Sequence, residues 1–285
     1  MNTNEQSSIH KYALIGHPVA HSMSPTIHNS SFKALGLPCE YGLVDSAERG
    51  LVETVRFLKE NDYYGWNVTM PDKTAMCDLC DEISLPSRIT HAVNTIVNKD
   101  GKLYGTTTDG EGFVFAAKRM NIDLKGNVLT LLGGGGAAGS MMIAAALEDA
   151  HTIHVFCRSE KSRERMDLLR QKLDGESACR ILIHEYKTDD FMQQCLNESI
   201  MLANATSVGM GETSEASPID QLTLNKETAV FDAIYHPSVT KLMETAMECG
   251  CQTANGLPML VGQAAASFKL WTGEDMPLTA LPFSF

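Results

Sequence analysis

Apolar positions along the chain alternate between two patterns. Short runs at 12–15, 41–44, 66–70, 128–132, 152–157, 181–184, 200–204 and 229–232 are bounded by Gly, Pro or polar residues and read as strands. Between them, at 25–35, 51–61, 109–121, 137–150, 160–173, 239–249 and 258–272, apolar residues recur at helical spacing or small residues accumulate. Leu51, Val52, Val55 and Leu58 show the helical spacing. Ser24 suits an N-cap, Pro25 the first helical position and Gly36 the stop. The segments 92–97 and 102–105 flank Asn98-Lys99-Asp100-Gly101, which predicts a hairpin. Strand alternating with helix predicts an α/β fold with parallel or mixed sheets. The rhythm restarts at Val128, after a helix opening at Asp109. A chain of 285 residues is long for one core, so two domains divided near Asp109 are expected.

Charge narrows the function. Lys and Arg total 23 against 35 acids, a net charge of −12, which argues against general nucleic-acid binding. No apolar run reaches membrane length, and MNTNEQSSIHK lacks the layout of a secretory signal, so a cytoplasmic protein is expected. Its eight cysteines should then stay reduced. Cys77 and Cys80 have the spacing of half a zinc site. The other half would have to come from Cys249 or Cys251 without the usual pattern, so these thiols read as small apolar fillers and no metal is expected.

The run Gly133-Gly134-Gly135-Gly136 lies between a strand and an alanine-rich helix, which a flexible linker would not. Gly133-x-Gly135-x-x-Ala138 fits a dinucleotide fingerprint: small residues admit a pyrophosphate to the backbone, and the helix supplies free N–H groups. A site preferring NAD usually carries an acid at the next strand tip, where this chain has Cys157, Arg158 and Ser159. Arg158 suits a 2′-phosphate, Ser159 adds a hydroxyl and Arg163 lies a turn further on, which favours NADP. Glu160 pulls towards NAD, which stays possible.

Three polar stretches stand in the first half. Ser22 and Ser24 sit where a helix begins, a place for a carboxylate. Ser24 is also explained as a cap, and Ser22 is not needed for one. Asn67 and Thr69 alternate, so on a strand they share a face, and Lys73 follows Pro71. Asn94 and Thr95 precede Gly105-Thr106-Thr107-Thr108-Asp109, where Asp109 also suits a helix N-cap.

Together with Asn204-Ala-Thr-Ser-Val-Gly-Met210, Asp232-Ala-Ile-Tyr235 and Gly256-Leu-Pro-Met-Leu-Val-Gly-Gln263, these stretches resemble the shikimate dehydrogenase family from about Tyr12 to Gly273. The resemblance implies a catalytic N-terminal α/β domain with a mixed sheet (1–108), a Rossmann NAD(P)-binding domain (109–250), and last helices (251–285) returning to the first domain. It implies reversible NADPH-dependent reduction of 3-dehydroshikimate to shikimate by a monomer or homodimer. Ser22 and Ser24, with Tyr235, would hold the substrate carboxylate. Asn67, Thr69, Asn94 and Gln263 would hold ring hydroxyls, and Lys73 and Asp109 would be the catalytic pair. Gly133, Gly134, Gly135, Gly136 and Ala137 would hold the pyrophosphate, and Arg158 with Ser159 the 2′-phosphate. Thr206, Ala233 and Gly256 would line the rest of the cofactor site. A protonated lysine suits the alkoxide that develops when a ketone accepts hydride.

Some positions depart from the usual pattern. Thr107-Thr108-Asp109 replaces Asn-Thr-Asp, and Cys157-Arg158-Ser159 replaces Asn-Arg-Thr. The segment 156–173 and Leu270-Trp-Thr-Gly273 are similar to the branch that takes quinate and shikimate with NAD or NADP, while Ser24 matches the shikimate-selective form. Quinate/shikimate dehydrogenase is therefore an alternative. A non-catalytic ligand-binding homologue is another, opposed by the presence of both Lys73 and Asp109.

Overall fold

The computed structural model describes residues 9–285. Contacts divide the chain into two units, 1–108 with 264–285, and 109–263. The segment 251–285, expected to return to the first domain as a whole, is thus split at Gln263 and Ala264.

The first unit is built on a six-stranded mixed sheet. Its strands are β1 (His10–Gly16), β2 (Cys39–Asp45), β3 (Tyr63–Val68), β4 (Glu82–Ile83), β5 (Thr95–Lys99) and β6 (Lys102–Thr106), ordered β2-β1-β3-β5-β6-β4. β1 runs parallel to β2 and β3, while β3, β5 and β6 are antiparallel in turn. The β5–β6 turn is the expected hairpin. Asp100 and Gly101 both take positive φ (52° and 84°), as a tight primed turn requires, and Asn98 accepts the Gly101 amide at 3.0 Å. The helices of this unit are α1 (Ser24–Leu35), α2 (Leu51–Glu60) and the short α3 (Leu85–Thr90). Ala13, Ile15, Leu58, Trp66, Met76, Val93 and Ile96 form the centre of its core.

The second unit carries six parallel strands: β7 (Val128–Leu132), β8 (Thr152–Cys157), β9 (Arg180–Glu185), β10 (Met201–Asn204), β11 (Ala229–Asp232) and β12 (Thr253–Ala254). Their order, β12-β11-β10-β7-β8-β9, is that of a doubly wound dinucleotide-binding sheet, whose topology reverses between β7 and β10. The helices are α4 (Asp109–Arg119), α5 (Gly136–Leu147), α6 (Glu160–Lys172), α7 (Asp190–Glu198) and α8 (Lys241–Glu248), and α9 (Leu257–Thr272) begins here and ends in the first unit. Gly112 lets α4 approach α9: a Cβ there would stand 2.4 Å from the Met259 carbonyl oxygen.

Three sequence expectations are corrected. α7 has no counterpart among the expected elements, although Phe191, Met192, Cys195 and Leu196 give it an apolar stripe and Asp189 caps it by accepting the Met192 amide at 3.0 Å. Asp109 is the first helical residue and not a cap before the helix. β3 ends at Val68, two residues short of the expected Met70, although the Thr69 amide still donates to the Ile15 carbonyl of β1 at 2.9 Å. Pro71 has no N–H to continue the ladder, and the Asp72 amide turns back to the Thr69 carbonyl at 3.0 Å.

Candidate active site

The first unit gathers its three polar stretches: Ser22 and Ser24 form one hydrogen-bonded pair, and Asn67 links Tyr41 to the stretch from Asn94 to Thr108. The Ser22 hydroxyl donates to Ser24 Oγ at 3.1 Å and also accepts the Ser24 amide at 3.2 Å. This reverses the expected division of labour. Met23 is the cap residue of α1, Ser24 makes no capping bond, and Ser22 takes the first helical amide. Ser24 is buried near the Tyr41 hydroxyl and favours loss of its proton. Tyr41 donates to Asn67 Oδ1 at 2.7 Å. The Asn67 amide nitrogen lies 3.0 Å from Thr95 Oγ1, 3.0 Å from Ser267 Oγ and 3.1 Å from the Asn94 carbonyl oxygen. Asn94 Oδ1 accepts the Thr108 amide at 2.9 Å and the Thr95 hydroxyl at 2.8 Å.

Burial raises the Tyr41 hydroxyl far above the ordinary tyrosine range, so it stays a neutral donor. His28 stacks on Tyr41 with ring centroids 4.4 Å apart, wholly buried and with neither ring nitrogen hydrogen-bonded. Burial lowers its pKa to about 3, so the ring is neutral. The cluster is closed by Trp271, which donates to the Ile96 carbonyl at 2.8 Å and fills the space over Gly65. Lys73 is half-buried in the turn after Pro71, and its carbonyl accepts the Val93 amide at 2.9 Å, next to Asn94. Thr69 is half-buried in the same turn.

Sequence reasoning singled out Ser22, Ser24, Asn67 and Asn94 and missed Tyr41, Ser267 and Trp271, which lock them together. Ser267 lies 200 residues from Asn67, a separation no local pattern reveals. Asp109, Tyr235 and Gln263 belong to the second unit. Tyr235 is exposed, 49% accessible, in the loop after β11. Gln263 is half-buried on α9 and donates to the Leu260 carbonyl at 2.9 Å.

In the second unit the four glycines differ in kind. Gly133 has φ +121°, and a Cβ there would stand 2.9 Å from the Ala205 carbonyl oxygen. A Cβ on Gly134 would stand 2.6 Å from Ser162 Cβ and 3.0 Å from Cys157 Sγ. These two are required by the protein's own packing. Gly135 and Gly136 are exposed, have ordinary φ, and a Cβ on either would meet nothing within 4 Å. Gly135 is the cap residue of α5 and offers no side chain, so the first N–H groups of that helix face outward with Ala137. Bare backbone at a helix N-terminus fits a pyrophosphate.

Arg165, which sequence reasoning passed over, fixes this loop. Its Nη1 donates to the carbonyls of Gly134 at 3.0 Å and Gly135 at 2.7 Å. Its one sequence signal is its place on the inward stripe of α6 with Ser162 and Leu169. Arg158 is exposed at the tip of β8. Ser159 caps α6, accepting the Ser162 amide at 3.2 Å. The strand-tip position is filled by the buried Cys157 thiol, which donates to the Gly133 carbonyl and is raised to about 11 by burial. The nearest carboxylates along the chain and ladder are the exposed Glu160, first residue of α6, and Glu185, the β9 partner of Cys157.

At the ends of β10 and β11, Asn204 donates to Asp232 Oδ1 at 3.1 Å and accepts the Thr206 hydroxyl at 2.7 Å. Asp232 also accepts from Thr240 at 2.7 Å and from the Ile234 amide at 3.0 Å. Burial raises its carboxyl, and these donors oppose that. The network fixes the loops carrying Thr206 and Ala233. Gly256 is packed on Ala233 so closely that a Cβ would overlap its carbonyl oxygen, at 2.0 Å.

Cys77 and Cys80 direct their thiols to the carbonyls of Lys73 at 3.7 Å and Met76 at 3.2 Å, as helix-packed fillers do. Among the described residues no helix is long and apolar enough to cross a membrane.

Comparison with known proteins agrees with this geometry. The shikimate dehydrogenase substrate binding domain matches residues 14–96, and the shikimate 5′-dehydrogenase C-terminal domain matches 256–281. A shikimate dehydrogenase (NADP+) of Alkaliphilus metalliredigens (strain QYMF) is 40% identical over 267 residues, 93% of this chain and 92% of the relative. The crystal structure of shikimate 5-dehydrogenase from Listeria monocytogenes in complex with shikimate and NAD has a TM-score of 0.91 at 33% identity, covering 99% of this chain and 98% of that one. Shikimate 5-dehydrogenase from Thermus thermophilus, in complex with NADP(H) and shikimate, has a TM-score of 0.79 at 31% identity, covering 95% and 97%.

Proposed function

The chain belongs to the shikimate dehydrogenase family, and we propose that it catalyses the reversible NADPH-dependent reduction of 3-dehydroshikimate to shikimate. The observation that carries this reading is the polar network running from Tyr41 through Asn67 to Asn94 and Thr108, with the Ser22–Ser24 pair at the start of α1 and Lys73 in the turn after β3. A shikimate-like molecule has one carboxylate and several ring hydroxyls, and this surface offers hydroxyls and amides in matching number without a second full positive charge.

In this proposal Ser22 and Ser24 take the carboxylate, joined by Tyr235. Asn67, Thr69, Asn94 and Gln263 take the ring hydroxyls. The bound cofactor supplies hydride to the ring carbonyl carbon. Lys73 supplies the proton that the carbonyl oxygen gains, and Asp109 shares the acid–base role. Gly135, Gly136 and Ala137 present the amides for the pyrophosphate, on a loop shaped by Gly133, Gly134 and Arg165. Arg158 takes the 2′-phosphate and Ser159 caps the helix beside it. Thr206, Ala233 and Gly256 form the remaining wall. Eight free cysteines suit a reducing cytoplasm, where the protein acts on its small-molecule substrate as a monomer or homodimer.

The test is initial rates with shikimate or quinate paired with NADP or NAD. Shikimate with NADP well ahead of the other three combinations is the expected result. Equal rates with quinate, or with NAD, would replace it with a dual-specificity quinate/shikimate dehydrogenase. No rate in any combination would leave a ligand-binding protein.

A further inference from the structure

The second unit holds a group of side chains that the proposed reaction does not use. His154 on β8, His184 on β9 and Cys195 on α7 place three donor atoms within 4.8 Å of one another. His154 Nδ1 lies 3.0 Å from His184 Nε2 and 3.4 Å from Cys195 Sγ. The sequence arranges this simply. His154 pairs with Leu182 across the parallel β8–β9 ladder, so His184, two residues on, falls on the same face. α7 lays Cys195 against that face. Among the described residues no other such group of three occurs.

An imidazole nitrogen has either one in-plane lone pair or one N–H. His154 Nδ1 faces two partners at hydrogen-bonding distance, an arrangement that a three-centre hydrogen bond or a bound cation would satisfy. Three electron-pair donors within 4.8 Å of one another are what a cation requires. In a tetrahedral zinc site the donor–donor edges are about 3.3 Å for two imidazoles and about 3.6 Å for an imidazole and a thiolate. The separations of 3.0 and 3.4 Å about His154 lie a few tenths of an ångström below those edges, and the donor atoms of His184 and Cys195 lie within 4.8 Å of each other. The donor set is borderline-soft, which selects Zn2+ and excludes Mg2+ and Ca2+. His154 and Cys195 are buried and His184 is half-buried, with Phe156 and Phe191 packed against its ring.

We propose that His154, His184 and Cys195 form a zinc-binding site that ties α7 to the β8–β9 edge of the nucleotide-binding sheet. Three protein ligands leave a fourth position for water. The ion stands apart from the proposed chemistry and acts on the stability of this unit.

The test uses the full chain after chelator treatment and dialysis. Zn2+ is titrated against a chromophoric chelator, and Co2+ serves as the spectroscopic probe. The expected result is one ion per chain, a Co2+ spectrum with a thiolate charge-transfer band and tetrahedral d–d intensity, and a melting temperature raised by about 5 °C at saturation. Cys195→Ser should abolish the charge-transfer band, and His184→Gln should weaken binding at least about 100-fold. Both should keep the wild-type rate of shikimate oxidation, which also reports that they fold. Cys77→Ser with Cys80→Ser should leave binding unchanged. Absence of stoichiometric binding, or a Co2+ spectrum that survives Cys195→Ser, overturns the proposal. Loss of zinc binding with intact shikimate oxidation separates this inference from the enzymatic reading, as does zinc binding by an inactive chain.

Discussion

In the first unit the polar side chains around Lys73 hold one another. Ser22 reaches Ser24, Tyr41 reaches Asn67, and Asn67 reaches Thr95 and Ser267. In the second unit the loop after β7 works by having no side chains. Gly135 and Gly136 leave backbone amides bare, and Arg165 holds the loop from behind through its carbonyls. One surface is a network whose members depend on each other. The other is a cradle whose exposed members carry no side chain for a neighbour to depend on. The network should therefore fail as a whole when one member is removed, and the cradle should lose ligand without losing stability.

The largest expected effect is at Lys73. Lys73→Ala should lower kcat about 1000-fold with KM changed less than about threefold, because the proton is needed only in the transition state. Steady-state kinetics with shikimate and NADP test this. A raised KM with kcat intact would make Lys73 a binding residue only.

Next comes the network itself. Asn67→Ala removes the acceptor of the Tyr41 hydroxyl and the amide that lies against Thr95, Ser267 and the Asn94 carbonyl, and should lower stability by about 2–4 kcal/mol in urea unfolding. A loss below about 1 kcal/mol would mean that the network is not cooperative. Its counterpart is a pair of glycine substitutions. Gly134→Ala should lower stability by about 1–3 kcal/mol, since the new methyl overlaps Ser162. Gly135→Ala should change stability by less than about 0.5 kcal/mol while weakening cofactor binding. Equal stability losses at both positions would erase the distinction between packed and open glycines.

Arg158→Ala should raise KM for NADP about 10- to 100-fold and leave KM for NAD nearly unchanged, the size of a charge-assisted hydrogen bond. Equal changes for both cofactors would remove Arg158 as the phosphate reader.

The remaining expectation concerns pH. His28 has a folded pKa of about 3 against the ordinary 6.5. Above about pH 6.5 both folded and unfolded chains carry it neutral, and it contributes no pH dependence. Below that, only the unfolded chain takes up the proton, so stability falls by about 1.4 kcal/mol per pH unit down to about pH 3. His28→Phe should remove this slope, measured as urea midpoints between about pH 7 and pH 5. An unchanged slope would assign the acid sensitivity to other groups.

How far the site was legible depended on the range of each interaction. The motif residues Ser22, Ser24, Asn67, Lys73, Asn94 and Asp109 stand at strand ends and helix starts, where local spacing exposes them. The glycine loop was legible because strand, small residues and helix are contiguous. Tyr41, Ser267 and Trp271 carry no local signal, because their partners lie on other elements. The same reason hides Arg165, which sits 30 and 31 residues from the carbonyls it holds. Cys77-x-x-Cys80 drew attention by its spacing, yet its thiols turn to helix carbonyls, while His154, His184 and Cys195 meet without any spacing pattern.

By itself the sequence determined the alternation of strands and helices, the division before Asp109, the hairpin at Asp100 and Gly101, and the helix that opens behind the glycines. Each follows from backbone geometry and side-chain periodicity within a few residues. The tertiary structure alone decided which serine caps α1, which glycines are required by packing, how α9 is shared between the units, and which distant hydroxyls complete the polar network. Those outcomes depend on which groups folding brings within hydrogen-bonding reach of each other, and neighbouring residues do not encode that distance.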